Sequence, residues 1–214
     1  MASMLTRQAL WVPVVKHNPA FVENVHKLLQ ASPIASLTAA AIRLKLEEVQ
    51  VALEPDAWHP DKMIASMMAF PVQISAAACD YMLEQQQRQQ PKPRELAFGF
   101  AISICDSCNT LHVMERLLPA SNRHVSVNMQ THCMRNLREE EKVVVVSTID
   151  KMGKRLVYCK TDYFVEATAP VPEEVVQRER SVKTLAELRA ALMHYEKAVS
   201  GAHVKSIISA SKPG

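Results

Sequence analysis

The chain has 214 residues, of which 48% are hydrophobic and 22% are charged, and its formal net charge is +3. This length permits one well-buried domain with extensions, or at most two small domains. So small a charge does not indicate nucleic acid or an anionic membrane as a partner. The four glycines are too few for the common phosphate-binding loops. No apolar run reaches the roughly 18–20 residues of a membrane span.

Residues 1–19 are predicted to form an N-terminal arm or a targeting segment. They hold two basic residues, Arg7 and Lys16, and no acidic residue, a composition shared by mitochondrial transit peptides and by ordinary chain termini. The five cysteines are scattered through apolar segments, and an odd number favours free thiols over a disulfide framework. We therefore expect a reducing compartment, either the mitochondrion or the cytoplasm.

The segment 20–169 is predicted to form the main domain. Apolar residues at helical spacing predict a helix over 20–31. Alternating apolar residues favour a strand over 37–53, and a proline-containing loop follows it. A second strand is predicted over 70–83, before the polar connection 84–94, which ends in two prolines.

The segment "LAFGFAISICDSCNTL", residues 96–111, begins a predicted buried helix that continues to about Arg116 and is stopped by Pro119. One stripe of this helix is apolar and consists of Phe100, Ile104, Cys108 and Leu111. Asp106 interrupts the apolar run, and the pattern alone leaves two interpretations open. The carboxylate is either catalytic or a polar group on the exposed side of the helix.

Cys105, Cys108 and His112 share one flank of the same helix, at spacings of three and four residues. Such a group invites comparison with a structural zinc site, which needs four ligands that usually come as two paired clusters. The sequence offers no second cluster, so we expect small core cysteines and no metal.

Three strands with short turns are predicted over 124–134, 142–150 and 155–167, and we interpret them as an antiparallel meander. Gly153 is expected to supply a positive φ in the second turn. Strict alternation in the first strand places Ser126 on one face, which it shares with Asn128, Gln130 and His132. A buried helix followed by long antiparallel strands predicts an α+β fold in which the sheet wraps around the central helix. The exposed edges of such a sheet favour pairing between subunits.

The tail, residues 170–214, is predicted to be a linker followed by an amphipathic helix over 185–200. Thr184 and Glu187 form the T-x-x-E pattern of a capping box, and Gly201 is a natural helix stop. The apolar stripe of this helix consists of Leu185, Leu188, Leu192, Tyr195 and Val199. We expect the helix to pack on the domain or on a sister subunit, with a groove of another protein as the alternative.

Residues 96–165 resemble the hotdog-fold acyl-CoA thioesterases of the thioesterase superfamily, in the PaaI-like branch. The matching pieces are Asp106 in "SICDSCNTL", the segment "HVSVNMQTHCMRNLREEEKVVVV" and the hairpin "IDKMGKRLVYCKTDYF". The resemblance implies a hotdog fold that assembles as a homodimer or a dimer of dimers. It also implies an acyl-CoA substrate, with coenzyme A present only as part of that substrate and no separate cofactor.

The same resemblance implies a role for each matching residue. Asp106 would activate water as a general base or attack the thioester carbonyl itself. Ser126 would lie on the facing strand, expected from the neighbouring subunit, and would help to position the water. Backbone N–H groups of Phe98 and Gly99, at the start of the helix, would polarise the thioester oxygen.

Three positions depart from the family pattern. Ala97 stands where the family has a histidine, Phe98 replaces the first of two glycines, and Pro91 occupies a position that is often asparagine. His124 and His132 are candidates for the missing general base, although a solvated or core position is the ordinary role of such residues. The departures keep a second hypothesis open, a catalytically inactive hotdog protein that acts as an acyl-binding or structural subunit of a larger assembly, for example a mitochondrial one.

Basic residues follow the central helix at several predicted turns and strand ends. They are Arg123, Arg135, Arg138, Lys151, Lys154 and Arg155. Such residues could contact the phosphates of coenzyme A, and a general role in surface solubility is the alternative.

Overall fold

The structure is a computed structural model that describes residues 10–79, 94–118, 123–166 and 173–208. Its strands are β1 (Trp11–Pro13), β2 (Gln50–Pro55), β3 (Met63–Gln73), β4 (Arg123–Cys133), β5 (Lys142–Met152), β6 (Leu156–Val165) and β7 (Lys197–Ile208). Its helices are α1 (Val14–His17), α2 (Pro19–Ala31), α3 (Pro33–Ala41), α4 (Phe98–Leu117), α5 (Glu173–Arg180) and α6 (Leu185–Leu192). The predicted helix over 20–31 is thus confirmed as α2.

The seven strands form one antiparallel sheet in the order β1-β2-β3-β5-β6-β7-β4. Helix α4 packs on one face of this sheet, which we call the inner face. Ile104 and Leu111 of α4 join Tyr163 of β6 in the main hydrophobic core. The Tyr163 hydroxyl also donates a hydrogen bond to the backbone carbonyl of Ala101, at 2.6 Å. A sheet wrapped around a central helix confirms the predicted α+β hotdog fold.

Helix α4 occupies nearly the span that the sequence predicts, from Phe98 to Leu117. Strand β7 approaches this helix closely at Gly201. A Cβ atom at that position would lie 2.7 Å from the Cys105 sulfur, closer than real Cβ contacts. Glycine is therefore required here by the distance between strand and helix.

The strand predicted over 37–53 is wrong for most of its length. Residues Pro33–Ala41 form α3, and the strand is limited to Gln50–Pro55. The Ser32 hydroxyl caps α3 by accepting the N–H of Ala35, and proline occupies the first helical position. These start signals lie just before the alternating run and outweigh it.

The strand predicted over 70–83 is displaced along the chain. The observed strand β3 is Met63–Gln73, and a short 3₁₀ turn follows at Ala76–Ala78. Residues 80–93, which include most of the predicted polar connection, lie outside the described residues. Strand β3 is buried on both faces through its central residues, so a continuous apolar run marks it rather than alternation.

The predicted meander is wrong in its pairing, although all three of its strands are present. Strands β5 and β6 pair as a hairpin, but β4 pairs with β7 and not with β5. In the hairpin, Gly153 does not adopt a positive φ; its N–H donates to the carbonyl of Leu156 at 2.8 Å. Local turn signals do not show that a strand arriving some seventy residues later pairs with β4.

The predicted C-terminal helix over 185–200 is wrong beyond Leu192. The capping box of Thr184 and Glu187 is confirmed, but residues Lys197–Ile208 form β7, which lies between β6 and β4. Apolar residues of α6, Leu188 and Leu192, pack on the outer face of the sheet, opposite α4. The helix therefore packs on its own domain, one of the two arrangements expected for it.

The N-terminal residues from 10 onward belong to the sheet and its core. Strand β1 pairs with β2, and Val14 is fully buried, so this part of the predicted arm is structural. Residues 1–9 lie outside the described residues. Within the described part of the chain, no helix is both long enough and apolar enough to cross a bilayer.

Candidate functional site

Asp106 lies in the middle of α4 on the side that faces strands β4 and β7. Its Oδ1 atom accepts a hydrogen bond from the Ser126 hydroxyl at 2.8 Å and another from the Lys205 ammonium at 2.9 Å. The three residues, which we call the inner cluster, all belong to one chain. The expectation that Ser126 reaches Asp106 from a neighbouring subunit is therefore wrong, while the pairing of the two side chains is observed.

A β-bulge explains why Ser126 faces the helix. Ser126 pairs with Lys205 of β7, and the register then shifts so that Asn128 pairs with the next residue, Val204. The extra residue reverses the alternation along β4. Beyond it, Thr131 rather than His132 lies toward Gly201 and α4. The prediction that Ser126 and His132 share a face is therefore wrong.

Lys205 is an almost completely buried lysine, with 2% of its side chain exposed. Each of its three N–H donors has an acceptor, because the ammonium also contacts the hydroxyl of Thr110 at 2.8 Å and that of Ser126 at 3.3 Å. Asp106 is different, since 43% of its side chain is exposed. Its Oδ2 atom accepts no hydrogen bond from the described residues. One carboxylate oxygen is thus held, and the other is open.

The electrostatics of the inner cluster keep Asp106 ionised. Burial alone would raise the pKa of this carboxyl group, but the charge and hydrogen bond of Lys205, with the hydrogen bond from Ser126, lower the pKa below its ordinary value. The carboxylate is therefore anionic at neutral pH and is a weak base. Its available chemistry is to orient water or to act through its free oxygen.

Two histidines face the same cluster from the strands. Burial, followed by the nearby Lys205 charge, lowers the pKa of both His124 and His203 to about 4. Both rings are therefore neutral at neutral pH. His203 Nε2 lies 3.6 Å from Asp106 Oδ1, and this buried nitrogen has no hydrogen-bond partner among the residues that the structure describes.

A buried polar network supports the inner cluster from behind. Asn109 accepts hydrogen bonds from the hydroxyls of Ser147 and Thr161, at 2.7 and 2.9 Å. These bonds orient the amide so that its NH₂ group donates to His203 Nδ1 at 3.3 Å. With Nδ1 as the acceptor, the neutral ring carries its hydrogen on Nε2 and directs it toward Asp106.

Phe98 and Gly99 occupy the first two positions of α4. Backbone N–H groups in the first turn of a helix have no partner inside the helix, so both are available as donors. The Phe98 side chain is half-exposed, and the space beside Gly99 is open. Asp106 lies eight residues further on, about 12 Å along the helix axis. Within one chain the structure does not bring the predicted oxyanion donors and the carboxylate together.

The group Cys105, Cys108 and His112 belongs to the core. Both cysteines are buried, and burial lowers the pKa of His112 to about 3. The two ring nitrogens of His112 lie within hydrogen-bond distance of the Ser147 hydroxyl and the Ala65 carbonyl. No set of three His, Cys, Asp or Glu residues within the described ranges is arranged to hold a metal ion.

The six basic candidates separate into different regions. Arg135 forms ion pairs with Glu141 and Glu196, so its charge is already compensated. Arg123 begins β4 and pairs with Ile208, at the end of β7 that follows Lys205. The Arg155 carbonyl accepts the N–H of the adjacent Ile207. The basic hairpin end and Arg123 therefore lie at the same end of the sheet as the inner cluster.

Sequence reasoning missed Lys205, His203 and Asn109. The first two were expected to follow a helix, but they lie on β7, where burial alternates from Gly201 to Ile207. The sequence "GAHVKSII" also alternates, but its apolar Ala202 and Val204 lie on the less buried face, so its polarity pattern indicates a strand and assigns His203 and Lys205 to the wrong face. No sequence signal marks Asn109, because its partners come from β5, β6 and β7.

No protein-family model matches the sequence, and no curated protein matches it. Among solved structures, the chain is similar to thioesterase superfamily member 2 from Mus musculus, with 15% identity, coverage of 86% of this chain and 95% of that one, and a TM-score of 0.47. A thioesterase from Haemophilus influenzae gives 11% identity, 87% and 90% coverage, and a TM-score of 0.49. A hypothetical thioesterase from Streptococcus pneumoniae, solved with coenzyme A, has 8% identity to this chain and a TM-score of 0.45. The match covers 71% of this chain and 86% of that one. The chain's own helix and sheet establish the hotdog fold.

Proposed function

We propose that the protein hydrolyses an acyl-CoA thioester and that Asp106 supplies the reacting carboxylate. The observation that carries this proposal is the unequal environment of the two carboxylate oxygens. Oδ1 is held by Ser126 and Lys205, whereas Oδ2 belongs to a side chain that is 43% exposed. The free oxygen can accept a proton from water, whereas Oδ1 already accepts two hydrogen bonds.

The reaction needs few groups. Oδ2 of Asp106 accepts a proton from a water molecule as the water oxygen attacks the thioester carbonyl carbon. The tetrahedral intermediate then collapses, the carbon–sulfur bond breaks, and the proton on Asp106 passes to the departing thiolate. Ser126 donates its hydrogen bond to Oδ1 throughout and so keeps Oδ2 directed toward the water.

The oxyanion donors must come from a second chain. A thioester carbonyl is too small to contact both Asp106 and the N–H groups of Phe98 and Gly99 when these lie about 12 Å apart along one helix. In a homodimer, the start of α4 in one subunit can lie beside Asp106 of the second subunit, so that the donors and the carboxylate come close together. The outer edge of β4 suits such an assembly, because it ends the sheet and exposes Val125 and Val127.

The substrate class follows from the sequence resemblance and from charge. Arg123 and the 151–155 hairpin place basic groups at the end of the sheet nearest Asp106. Phosphates of coenzyme A are the anionic part of an acyl-CoA, and they would contact this end while the thioester reaches the inner cluster.

The second candidate function is a non-catalytic acyl-binding or structural subunit. Lys205 favours it, because an ammonium 2.9 Å from Oδ1 opposes protonation of the carboxylate and so weakens Asp106 as a base. The start of α4 also carries a phenylalanine, Phe98, where the family that the chain resembles has a glycine.

Hydrolysis of a panel of short- to long-chain acyl-CoAs by the full chain separates the two candidates. Release of free thiol is measured for the wild type, for Asp106→Asn and for the control Asp162→Asn, whose carboxylate is also bonded to a serine and a lysine. We expect Asp106→Asn to lose at least about 100-fold in rate, the lower range for general base catalysis, and Asp162→Asn to retain activity. Absence of turnover in a folded wild-type dimer would reject the enzyme and favour the subunit, whereas an equal loss in both variants would reject Asp106 as the reacting carboxylate.

A further inference from the structure

Lys205 enters the inner cluster in an uncommon way, as a lysine enclosed between helix and sheet. Burying an ammonium group is costly unless all of its donors are used. Here the three donors go to the side chains of Asp106, Thr110 and Ser126. Two of these acceptors lie one helical turn apart on α4, so the lysine fixes both the position and the rotation of the carboxylate.

We propose that Lys205 is the positioning residue of this site, holding Oδ1 of Asp106 against the sheet so that Oδ2 alone meets the solvent. The ammonium also favours the anionic form of the carboxylate, because it is the nearest opposite charge. This inference rests on the proposed function and adds to it a residue that is too enclosed to touch substrate. It also accounts for Ser126, which bonds to the same oxygen and is held by the same ammonium.

The other titratable groups around Asp106 do not supply the positive charge. From the strands, His124 and His203 are neutral above about pH 4. Burial raises the pKa of the Cys105 thiol beside Asp106 on α4, and it raises that of Cys159 on β6 to about 12. Both thiols are therefore uncharged at neutral pH. The charge that faces the carboxylate comes from Lys205.

Titration of the Asp106 carboxyl carbon by NMR tests this role without substrate. The full chain is labelled with ¹³Cγ-aspartate, and the Asp106 signal is assigned by its loss in Asp106→Asn. In Lys205→Met we expect the midpoint of this signal to move upward by at least about one pH unit, because an adjacent cation lowers a carboxyl pKa by roughly 1–3 units. The same substitution also raises the pKa of His124 and His203, because the Lys205 charge lowers it in the wild type, so the two histidine ring signals are titrated in both proteins as well.

A matched control and a second variant make the result decisive. Lys197→Met removes the lysine beside Asp162 and should leave the Asp106 midpoint unchanged. Lys205→Gln retains hydrogen bonding without charge, and it replaces Lys205→Met if the latter fails to fold. An unchanged Asp106 midpoint in both Lys205 variants would overturn the proposal.

Kinetics distinguish this inference from the proposed function. In a hydrolytically active protein, Lys205→Met should shift the acid limb of kcat/KM upward with the NMR midpoint and lower kcat more than it changes KM. A shifted NMR midpoint in a protein that hydrolyses no acyl-CoA would reject the enzyme and support the ion-pair role. If Lys205→Met hydrolyses acyl-CoA at the wild-type rate and the acid limb of its kcat/KM profile does not move, the role of Lys205 is overturned while the proposed function stands.

Discussion

Strand β7 carries two clusters of the same residue types on its two faces. The inner cluster consists of Asp106, Ser126 and Lys205. The outer cluster consists of Asp162, Ser200, Lys197 and Lys160, in which the serine hydroxyl donates to the carboxylate at 2.7 Å and the nearer lysine lies at 3.1 Å. In the outer cluster both carboxylate oxygens are engaged, because the second one faces Lys160 at 3.4 Å.

The two clusters differ in which partner is exposed. In the inner cluster the lysine is buried and the carboxylate is 43% exposed. In the outer cluster the carboxylate is only 14% exposed, and its lysines reach solvent to 20% and 48%. The outer arrangement resembles an ordinary ion-pair network with its cations in water. An aspartate bonded to a serine and a lysine therefore does not define a site; the inner cluster differs in its enclosed lysine and in a carboxylate that reaches solvent.

A buried polar network around Asn109 lies behind the inner cluster. The largest effect on the free energy of unfolding should come from replacing Asn109. Replacing Asn109 with alanine leaves the Thr161 hydroxyl and the His203 ring without their buried partner, while the Ser147 hydroxyl keeps His112. Each unsatisfied buried group costs about 1–3 kcal/mol, so we expect Asn109→Ala to lower the free energy of unfolding by about 2–6 kcal/mol in urea titrations. Ser200→Ala is the control on the outer face, and equal losses from the two variants would contradict the difference between the faces.

Buried histidines on the inner face predict a loss of stability in acid. Folded His112 has a pKa of about 3, while the unfolded chain binds that proton near pH 6.5. The unfolded state therefore holds the extra proton between about pH 6.5 and 3, and the free energy of unfolding falls as the pH falls through this window. From pH 7 to 4.5, His112 alone should contribute a loss of about 2–3 kcal/mol.

Urea unfolding at several pH values measures this loss. His112→Gln removes the titrating group, so the dependence on pH should become shallower even though the variant is less stable overall. His132→Gln, on an exposed residue of β4, is the control and should retain the wild-type slope. The same slope in all three proteins would contradict a buried neutral imidazole.

The contact between β7 and α4 gives a smaller effect. Gly201→Ala places a Cβ atom 2.7 Å from the Cys105 sulfur and 3.3 Å from a backbone carbonyl of β4. Overpacking of this kind typically costs about 1–3 kcal/mol, and we expect about 2 kcal/mol in denaturant unfolding. Gly99→Ala, where the added carbon meets nothing within 4 Å, is the matched control and should be close to neutral. A neutral Gly201→Ala would mean that helix and strand lie farther apart.

The sequence could predict the central helix, strands β4, β5 and β6, and the pairing of Asp106 with Ser126, because each depends on local periodicity or on the spacing of the family that the chain resembles. It could not predict the remainder of the inner cluster. Lys205 was placed after a helix because an apolar stripe at helical spacing runs on from Leu185 to Val199, although the helix ends at Leu192. The partner strand of β4 lies far along the chain. A single bulge beside Ser126 also reverses the alternation from which the sequence predicts which residues of β4 face the helix.

The smallest effect is expected at the outer cluster, where Asp162→Asn should lower the free energy of unfolding by no more than about 1 kcal/mol. The lysines that lose their partner already reach solvent, so the charges left behind are hydrated, and partly exposed ion pairs contribute about 0–1 kcal/mol. The measurement is the urea midpoint at low salt and in 1 M NaCl, which reduces the screening length to about 3 Å. Salt should remove most of the difference between Asp162→Asn and the wild type. A loss above about 2 kcal/mol that persists in salt would show that the outer carboxylate is held as firmly as the inner one, and the contrast between the two faces of β7 would then rest on the free oxygen of Asp106 alone.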